Sequence, residues 1–272
     1  MTSQASSNPG GQHTLLLRLE GLRQAWGTQS RFSIRDTESE PSKSGVLGLV
    51  GAALGKPRRE CLGDGLPTLA ELRGLRFGVR VDREGVRHSE FQTIGMGHFP
   101  GVEPGKYRIY RADDGGLAKF GMLSTRWHLE DASFLVGLEG DLVLLRRIES
   151  ALRNPVFPLY LGRKHCIPSR RILVKNGLVA RSLEDALLLH KWPPAANERG
   201  REERQGRVRK PASEVRLALD VDPDEDDWVS LRYDIPLDVA TRRFAPRSVQ
   251  TRVITYEEHL GHCKRMGGDS AA

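Results

Sequence analysis

Apolar and polar positions alternate near the start of the chain. In residues 14–20 the odd-numbered positions are all leucine, while the even-numbered positions include Arg18 and Glu20. Successive side chains of a strand point to opposite faces, so this pattern predicts a first strand with one apolar face. A glycine at position 21 ends the strand and leads into a loop.

The same type of pattern predicts a series of elements along the chain. Strands are expected at 14–20, 75–81, 132–138 and near 156–161, and the main helices at 44–55 and 141–152. Their order, β-α-β-β-α-β, predicts the α+β class and a ferredoxin-like domain, the order shared by RNA-recognition motifs. Further elements are predicted with less regular patterns: helices at 67–73 and 183–190, and strands at 215–219 and 249–256.

The predicted organisation is a disordered lead at 1–12, a ferredoxin-like domain at 13–162 and a smaller C-terminal part at 163–272 with a mobile charged loop at 197–211. About fifty residues, 82–131, separate the second and third strands of the domain. An insertion of this length is uncommon without a function. Its glycines and the alternating segment 106–111 predict a projecting β-hairpin, although a surface insertion without a function stays possible.

The helix predicted at 44–55 begins after Pro41, with Ser42 or Ser44 as its N-cap. A helix N-terminus offers free amides and a partial positive charge, which suits a phosphate. The preceding loop adds Trp26, whose ring stacks on a base or packs in the core. Small residues at 45, 48, 52 and 55 predict a close approach of this helix, either to the sheet or to an RNA backbone.

Charge favours a polyanionic partner. The 272 residues carry a net charge of +7, and residues 150–183 contain seven Lys or Arg and no Asp or Glu. Like charges repel on an ordinary solvated face, and phosphates relieve that repulsion. Contact with phosphates and a plain solvated surface are the two interpretations of this run.

Three stretches, in chain order, resemble CRISPR-associated protein family five in its type I-E form. The first stretch is a Gly-x-x-Gln-x-Trp-Gly turn at 21–27, followed by Arg35 and a Pro-Ser-Lys-Ser-Gly helix start at 41–45. The second is an Asp-Ala-Ser-Phe entry into a strand at 131–134. The third is Tyr-Leu-Gly-Arg-Lys-His-Cys at 160–166. The resemblance implies the ferredoxin-like fold and a hairpin thumb that is wedged into bound RNA.

The resemblance also implies a function in antiviral defence, as a non-catalytic crRNA-binding subunit of the Cascade surveillance complex. Such a subunit holds the repeat-derived 5′ handle of the crRNA and caps the backbone. Its expected neighbours are the CasC backbone subunit and the large CasA subunit, and it meets target DNA indirectly. The residues expected to contact RNA are Gln24, Trp26, Gly27, Arg31, Arg35, Ser42, Lys43, Ser44, Gly45, Lys106, Arg108, Tyr110, Arg126, Tyr160, Arg163 and Lys164.

The alternative function is a metal-independent endoribonuclease that processes CRISPR repeat RNA. Such a reaction needs a general base and an acid or cation at the leaving oxygen. His165 beside Lys164, assisted by Tyr107 or Tyr160, has the required groups. Relatives in other CRISPR subtypes cut precursor RNA with a similar set, whereas a separate endonuclease makes the cut in the subtype this sequence resembles.

Other functions find little support in the sequence. Three scattered cysteines favour reduced thiols over a disulfide framework or a zinc site, and the acidic residues at 222–227 lack the pattern of a calcium loop. Residues 51–56 lack one residue and the hydroxyl of a P-loop. No cofactor or metal is expected. The polar N-terminus and the absence of a long apolar run predict a cytoplasmic protein without a membrane contact.

Overall fold

The computed structural model describes residues 12–28, 33–57, 65–94, 115–116, 122–194, 211–222, 228–238 and 241–266. Its strands are β1 (His13–Glu20), β2 (Arg23–Gln24), β3 (Ile34–Arg35), β4 (Arg76–Arg83), β5 (Val86–Ile94), β6 (Met122–Glu130), β7 (Ser133–Gly140), β8 (Leu173–Val179), β9 (Glu214–Asp220), β10 (Val229–Asp238) and β11 (Arg243–Thr255). Its helices are α1 (Lys43–Leu54), α2 (Leu69–Arg73), α3 (Leu142–Arg153), α4 (Leu183–Leu189) and α5 (Tyr256–Arg265).

Seven of the described strands form a large sheet in the order β10-β11-β9-β4-β7-β1-β8. Each neighbouring pair runs antiparallel. Apolar residues of α1 and α3 pack on one face against Leu15, Leu17 and Leu19. Helix α4 packs on the other face against Leu16 and Leu135. Strands β1 and β7 are thus covered on both faces, which explains why their apolar residues are not confined to alternate positions.

Two glycines let α4 approach the sheet closely. Gly78 of β4 and Gly137 of β7 are cross-strand partners. A Cβ at Gly137 would lie 2.6 Å from a methyl group of Leu183, and a Cβ at Gly78 would lie 3.0 Å from one of Leu187. The α4 leucines therefore occupy the space that side chains would fill at this pair.

The predicted α+β class is confirmed, and most predicted elements lie within two residues of observed ones. This holds for the first three strands, for both main helices and for the helix at 183–190. The structure adds β10 and α5, which were not predicted, and extends the strand predicted at 249–256 back to Arg243.

The strand predicted near 156–161 is wrong, because these residues form a loop. The amides of Val156 and Phe157 donate to carbonyls at the end of α1, those of Ala53 and Ala52. The chain therefore turns back against α1 instead of pairing with β1. The strand that pairs with β1 at this edge is β8, some fifteen residues later.

A second, smaller sheet is built around β6. This strand pairs with β5 in a long antiparallel hairpin, from Val86 opposite Glu130 to Ile94 opposite Met122. It also pairs with β2 and, in parallel, with β3. We call the β5–β6 hairpin the arm. A hairpin was predicted within 82–131, but its expected strand at 106–111 lies outside the described residues.

The described residues after 162 contribute β8, β9, β10 and β11 to the large sheet. The division of the chain at residue 162 stays a prediction. Among the helices that the structure describes, none combines the length and hydropathy that a membrane span requires.

Candidate nucleic-acid interface

Three cations gather beside β6 of the arm, and a fourth follows one of them in the sequence. Arg35 of β3 is the parallel partner of Arg126 of β6, and the charges of both act on Arg163. Lys164 follows and is exposed. We call Arg35, Arg126, Arg163 and Lys164 the basic cluster.

Arg163 ties its loop to the small sheet. Its guanidinium donates to the backbone carbonyls of Trp127 at 3.0 Å, Arg35 at 2.9 Å and Asp36 at 3.1 Å. Burial lowers the pKa of this group, and the charges of Arg126 and Arg35 lower it further. Positive charge is thus concentrated here at an electrostatic cost, which an anion would relieve.

The nearby carboxylates pair with other cations. Glu90 and Glu130 bind Arg23, at 2.6 and 3.1 Å. Asp36 pairs with Arg87, whose guanidinium also lies 4.7 Å from the centre of the Trp127 ring. Within the part of the chain that the structure describes, no member of the basic cluster forms an ion pair. Among the described residues, Arg35, Arg126 and Lys164 therefore have no acidic partner that would compete with an external anion, whereas the guanidinium of Arg163 is held by backbone carbonyls.

A histidine pair lies beside Arg163. The Nε2 atoms of His128 and His165 are 2.8 Å apart, and Arg163 lies 3.1 Å from His128 Nε2. Burial and the charge of Arg163 lower the pKa of His128 to about 4. Burial also lowers the pKa of His165, which remains exposed at the surface. His128 is therefore uncharged near neutral pH, and the lowered pKa favours the uncharged form of His165.

Cys166 completes a group of three possible metal ligands. Its Sγ and the ligating nitrogens of His128 and His165 lie within 4.8 Å of one another. Two features oppose a divalent cation here. Burial raises the pKa of the Cys166 thiol, so the thiolate ligand is disfavoured, and the Arg163 guanidinium lies against His128.

The N-terminus of α1 is filled by the protein itself. Ser42 is the N-cap and accepts from the Gly45 amide at 3.3 Å. The Lys43 amide donates to the Asp234 carboxylate at 2.7 Å, and Lys43 Nζ lies 3.0 Å from Asp220. A carboxylate of β10 thus takes the place expected for an RNA phosphate.

Comparisons with known proteins agree with this architecture. The model of a CRISPR-associated protein family (Cas_Cas5) matches residues 14–250. The chain belongs to this family. It is 34% identical to the CRISPR system Cascade subunit CasD of Escherichia coli (strain K12) over 156 residues, which are 56% of this chain and 66% of that protein. The matched region thus falls just short of two thirds of the curated relative.

Two solved structures share the fold of this Cas5 family member. One is described as a crystal structure of a Cas protein, with a TM-score of 0.60 and 37% identity, covering 90% of this chain and 96% of that one. The other belongs to a CRISPR RNA-guided surveillance complex, with a TM-score of 0.65 and 26% identity, covering 92% and 99% of the two chains.

Several residues expected to contact RNA are internal in the structure. Trp26 is 1% exposed and donates through Nε1 to Gln24 Oε1 at 3.1 Å, while Gln24 is itself buried. Of the two interpretations given for the Trp26 ring, the structure supports packing in the core, so its expected RNA contact is corrected. Gln24 instead donates to the carbonyls of Ala132 and Leu19, so its side chain links β1, β2 and β7.

The phosphate contacts expected of Ser42 and Lys43 are corrected as well. Both side chains are buried, and Lys43 is only 4% exposed. Ser44 and Gly45 are half-buried beside them. A Cβ on Gly45 would lie 2.9 Å from the Trp26 ring, so this glycine serves close packing of α1 on the loop.

The remaining expected residues divide into three groups. Arg35, Arg126 and Arg163 come together in the basic cluster, with the exposed Lys164 next to Arg163 in the sequence. Gly27 is exposed and Tyr160 is half-buried. The predictions for Arg31, Lys106, Arg108 and Tyr110 fall outside the described residues, as does Tyr107.

Sequence reasoning missed Arg23, Arg87, Trp127 and His128. In the arm, Arg87 pairs with Leu129 across the two strands and therefore lies diagonal to Trp127. This register is the signal that indicates the contact between Arg87 and Trp127. His128 had no such signal, because its partner His165 lies 37 residues away in the sequence.

Proposed function

We propose that this chain is a crRNA-binding subunit of a Cascade-type CRISPR RNA-guided surveillance complex, in antiviral defence. The proposal rests on family membership, on the likeness to a subunit of such a complex and on the basic cluster. The carrying observation is the parallel pairing of Arg35 with Arg126, next to Arg163. Like charges in such contact are unfavourable without an anion.

The RNA segment held is the repeat-derived 5′ handle, and the adjoining subunits are CasC and CasA, with target DNA met indirectly. The four strands β4-β7-β1-β8, with α1 and α3 on one face, support a ferredoxin-like assignment that runs from residue 13 through β8, beyond the boundary predicted at residue 162. In that arrangement the arm acts as the thumb and separates the handle from the spacer. Its attachment to β3, which carries Arg35, brings it beside the basic cluster.

The role is one of holding RNA and not of cutting it. A cleaving site needs one group to take a proton and another to give one. The buried His128 is uncharged near neutral pH, and its Nε2 is taken up by His165 and Arg163. Its contribution is to position His165 and Arg163.

A second candidate is the metal-independent endoribonuclease, favoured by the exposed His165 beside Lys164 and Arg163. Incubation of repeat RNA with the purified chain and a chelator separates the two functions. A holding subunit leaves the RNA intact, and His165→Ala assembles normally. Cleavage by the wild type that disappears in His165→Ala establishes the nuclease.

Salt dependence of RNA affinity tests the holding function. Four phosphate contacts by the basic cluster contribute about −3 to the slope of log affinity against log salt, at roughly −0.7 for each contact with a single strand. Arg35→Gln with Lys164→Gln makes the slope shallower by about 1.4. The matched control, Arg146→Gln with Lys264→Gln, also removes two exposed charges and leaves the slope unchanged. Equal slopes for all three proteins overturn the assignment of the interface.

A further inference from the structure

A cavity of about 670 Å³ opens on the α4 side of the large sheet. Its walls come from the end of β1, from the loop before β8, from β8 itself and from the segment that follows α4. They include Arg18, Glu20, Asp82, Arg170, Arg171, Lys175, His190 and Lys191. This volume is within the range of sites that hold small ligands or nucleotides.

The carboxylate at the floor of the cavity is paired with two arginines. Asp82 lies 2.6 Å from Arg80 and also pairs with Arg18. Arg80 is fully buried and donates further to the carbonyls of Leu187, His190 and Lys191. The Arg80 and Arg18 charges hold the pKa of Asp82 below its usual range despite burial. The buried Arg80 and the partly exposed Arg18 therefore face one carboxylate.

The rim carries an excess of positive charge. Arg171, Lys175 and Lys191 are exposed and form no ion pair with any residue that the structure describes. Arg170 reaches Glu20 only at 3.8 Å. Glu20 is the one acidic residue among the rim residues that line the described cavity. The cations stand on different elements around the cavity, on the loop before β8, on β8 itself and on the segment after α4.

His190 lines the same cavity. Burial lowers its pKa to about 4, and the charges of Arg80 and Arg18 lower it further, while the charge of Asp82 opposes the shift. The uncharged form of His190 is therefore favoured here.

One loop joins this cavity to the basic cluster. Arg163 and Lys164 lie at its start, and Arg170 and Arg171 near its end. Arg171 lies eight positions after Arg163, so their Cα atoms are at most about 28 Å apart. A single RNA strand several nucleotides long covers that distance.

We propose that the cavity is a second RNA site, which holds the phosphodiester backbone of the single strand that leaves the basic cluster. This inference rests on the proposed function. The contacts are to phosphates and are therefore independent of base sequence. Arg171, Lys175 and Lys191 are the residues that carry them.

The test compares full-length chains in RNA binding over a range of salt concentrations. The cavity variant carries Arg171→Gln and Lys175→Gln, and the control carries Arg146→Gln and Lys264→Gln on α3 and α5. All four residues are exposed, and each variant loses two positive charges. The probes are the host crRNA handle and a uridine homopolymer of the same length. Thermal unfolding checks that both variants fold.

The inference predicts that the cavity variant loses affinity for both RNAs by a similar factor and that its salt slope becomes shallower by about 1.4, while the control matches the wild type. If the wild type binds RNA and the cavity variant matches it in slope and affinity, the inference is overturned and the proposed function stands. If the wild type binds no RNA, the proposed function itself fails. A variant with normal RNA affinity but impaired assembly with protein subunits assigns the cavity to an acidic protein partner and also overturns the inference.

Discussion

At the scale of the residue, glycine and histidine positions show how local packing sets the properties of the interface. Gly45 and Gly48 belong to the same helix but have different surroundings. A Cβ on Gly45 would meet the Trp26 ring at 2.9 Å and Ser42 Oγ at 3.0 Å, whereas a Cβ on Gly48 would meet nothing within 4 Å. The two positions therefore form a matched pair.

Gly45→Ala is expected to lower the free energy of unfolding by about 1–3 kcal/mol, because the methyl group displaces Trp26 from its packed position. Gly48→Ala is expected to raise it by up to about 1 kcal/mol, through the lower entropy of the unfolded chain. Urea denaturation measures both values. Equal effects of the two substitutions would show that the contact between Gly45 and Trp26 is unimportant.

His128 predicts a dependence of stability on pH. Its pKa is about 4 in the folded chain and about 6.5 when unfolded. Between these values the unfolded state binds the proton and the folded state does not, so stability is fully present above about pH 6.5 and is lost as the pH falls toward 4. His190, with a folded pKa of about 4, acts in the same direction.

The measurement is urea denaturation of the wild type and of His128→Gln at about pH 7.5 and 5. The wild type is expected to lose up to about 2 kcal/mol more than the variant over this range. His190 stays in both proteins and cancels in the comparison. Parallel stability curves would rule out His128 as a source of acid sensitivity.

At the scale of the element, the start of α1 shows what sequence could and could not predict. Residues 41–45 predicted the helix boundary and its serine cap, and both are confirmed. The occupant of the helix N-terminus was not predictable, because Asp234 lies 191 residues away on β10, a strand that the pattern did not predict. The long-range contact with Asp234 determines that the helix N-terminus binds an internal carboxylate and not an external phosphate.

Asp234 also anchors Arg247 of β11. Arg247 Nη2 lies 2.9 Å from Asp234 Oδ2, and both side chains are buried. Asp234→Ala is expected to lower the free energy of unfolding by about 3–5 kcal/mol, because it leaves a buried guanidinium short of a partner and the Lys43 amide unpaired. Asp222→Ala removes an exposed carboxylate and serves as the control. Equal losses in chemical denaturation would contradict the role of this buried ion pair.

The arm provides a prediction about function. Replacing residues 88–126 with a short glycine turn is expected to leave the large sheet folded, because β4 and β7 keep their own pairing. Loss of the Arg35–Arg126 pairing is expected to weaken RNA binding, and the junction between handle and spacer is expected to change its nuclease protection. Circular dichroism and RNA footprinting measure the two effects. A deletion protein with a wild-type footprint would show that the arm is a passive insertion.

At the scale of the whole molecule, local pattern predicted the α+β class and the order of the first three strands. It failed near 156–161, where backbone amides bond to the end of α1, and the edge strand of the sheet is formed by β8 instead. It also did not predict that β9 pairs with β4 and β11 with β9, since such pairings depend on contacts far apart in sequence. Arg163 and Lys164 were predicted as RNA contacts from an unbalanced run of positive charge. The position of His128 and the presence of the cavity can be recognised only from the three-dimensional structure.

The most direct test of RNA holding is to purify the full chain from its host, with its associated subunits, and to sequence the RNA that accompanies it. The account predicts reads that begin in repeat-derived sequence and continue into spacers, with strong enrichment over total cellular RNA. It also predicts that Arg35→Gln with Lys164→Gln reduces this enrichment, while Arg146→Gln with Lys264→Gln does not. Preparations that contain no RNA, or RNA fragments in proportion to their cellular abundance, would contradict the account.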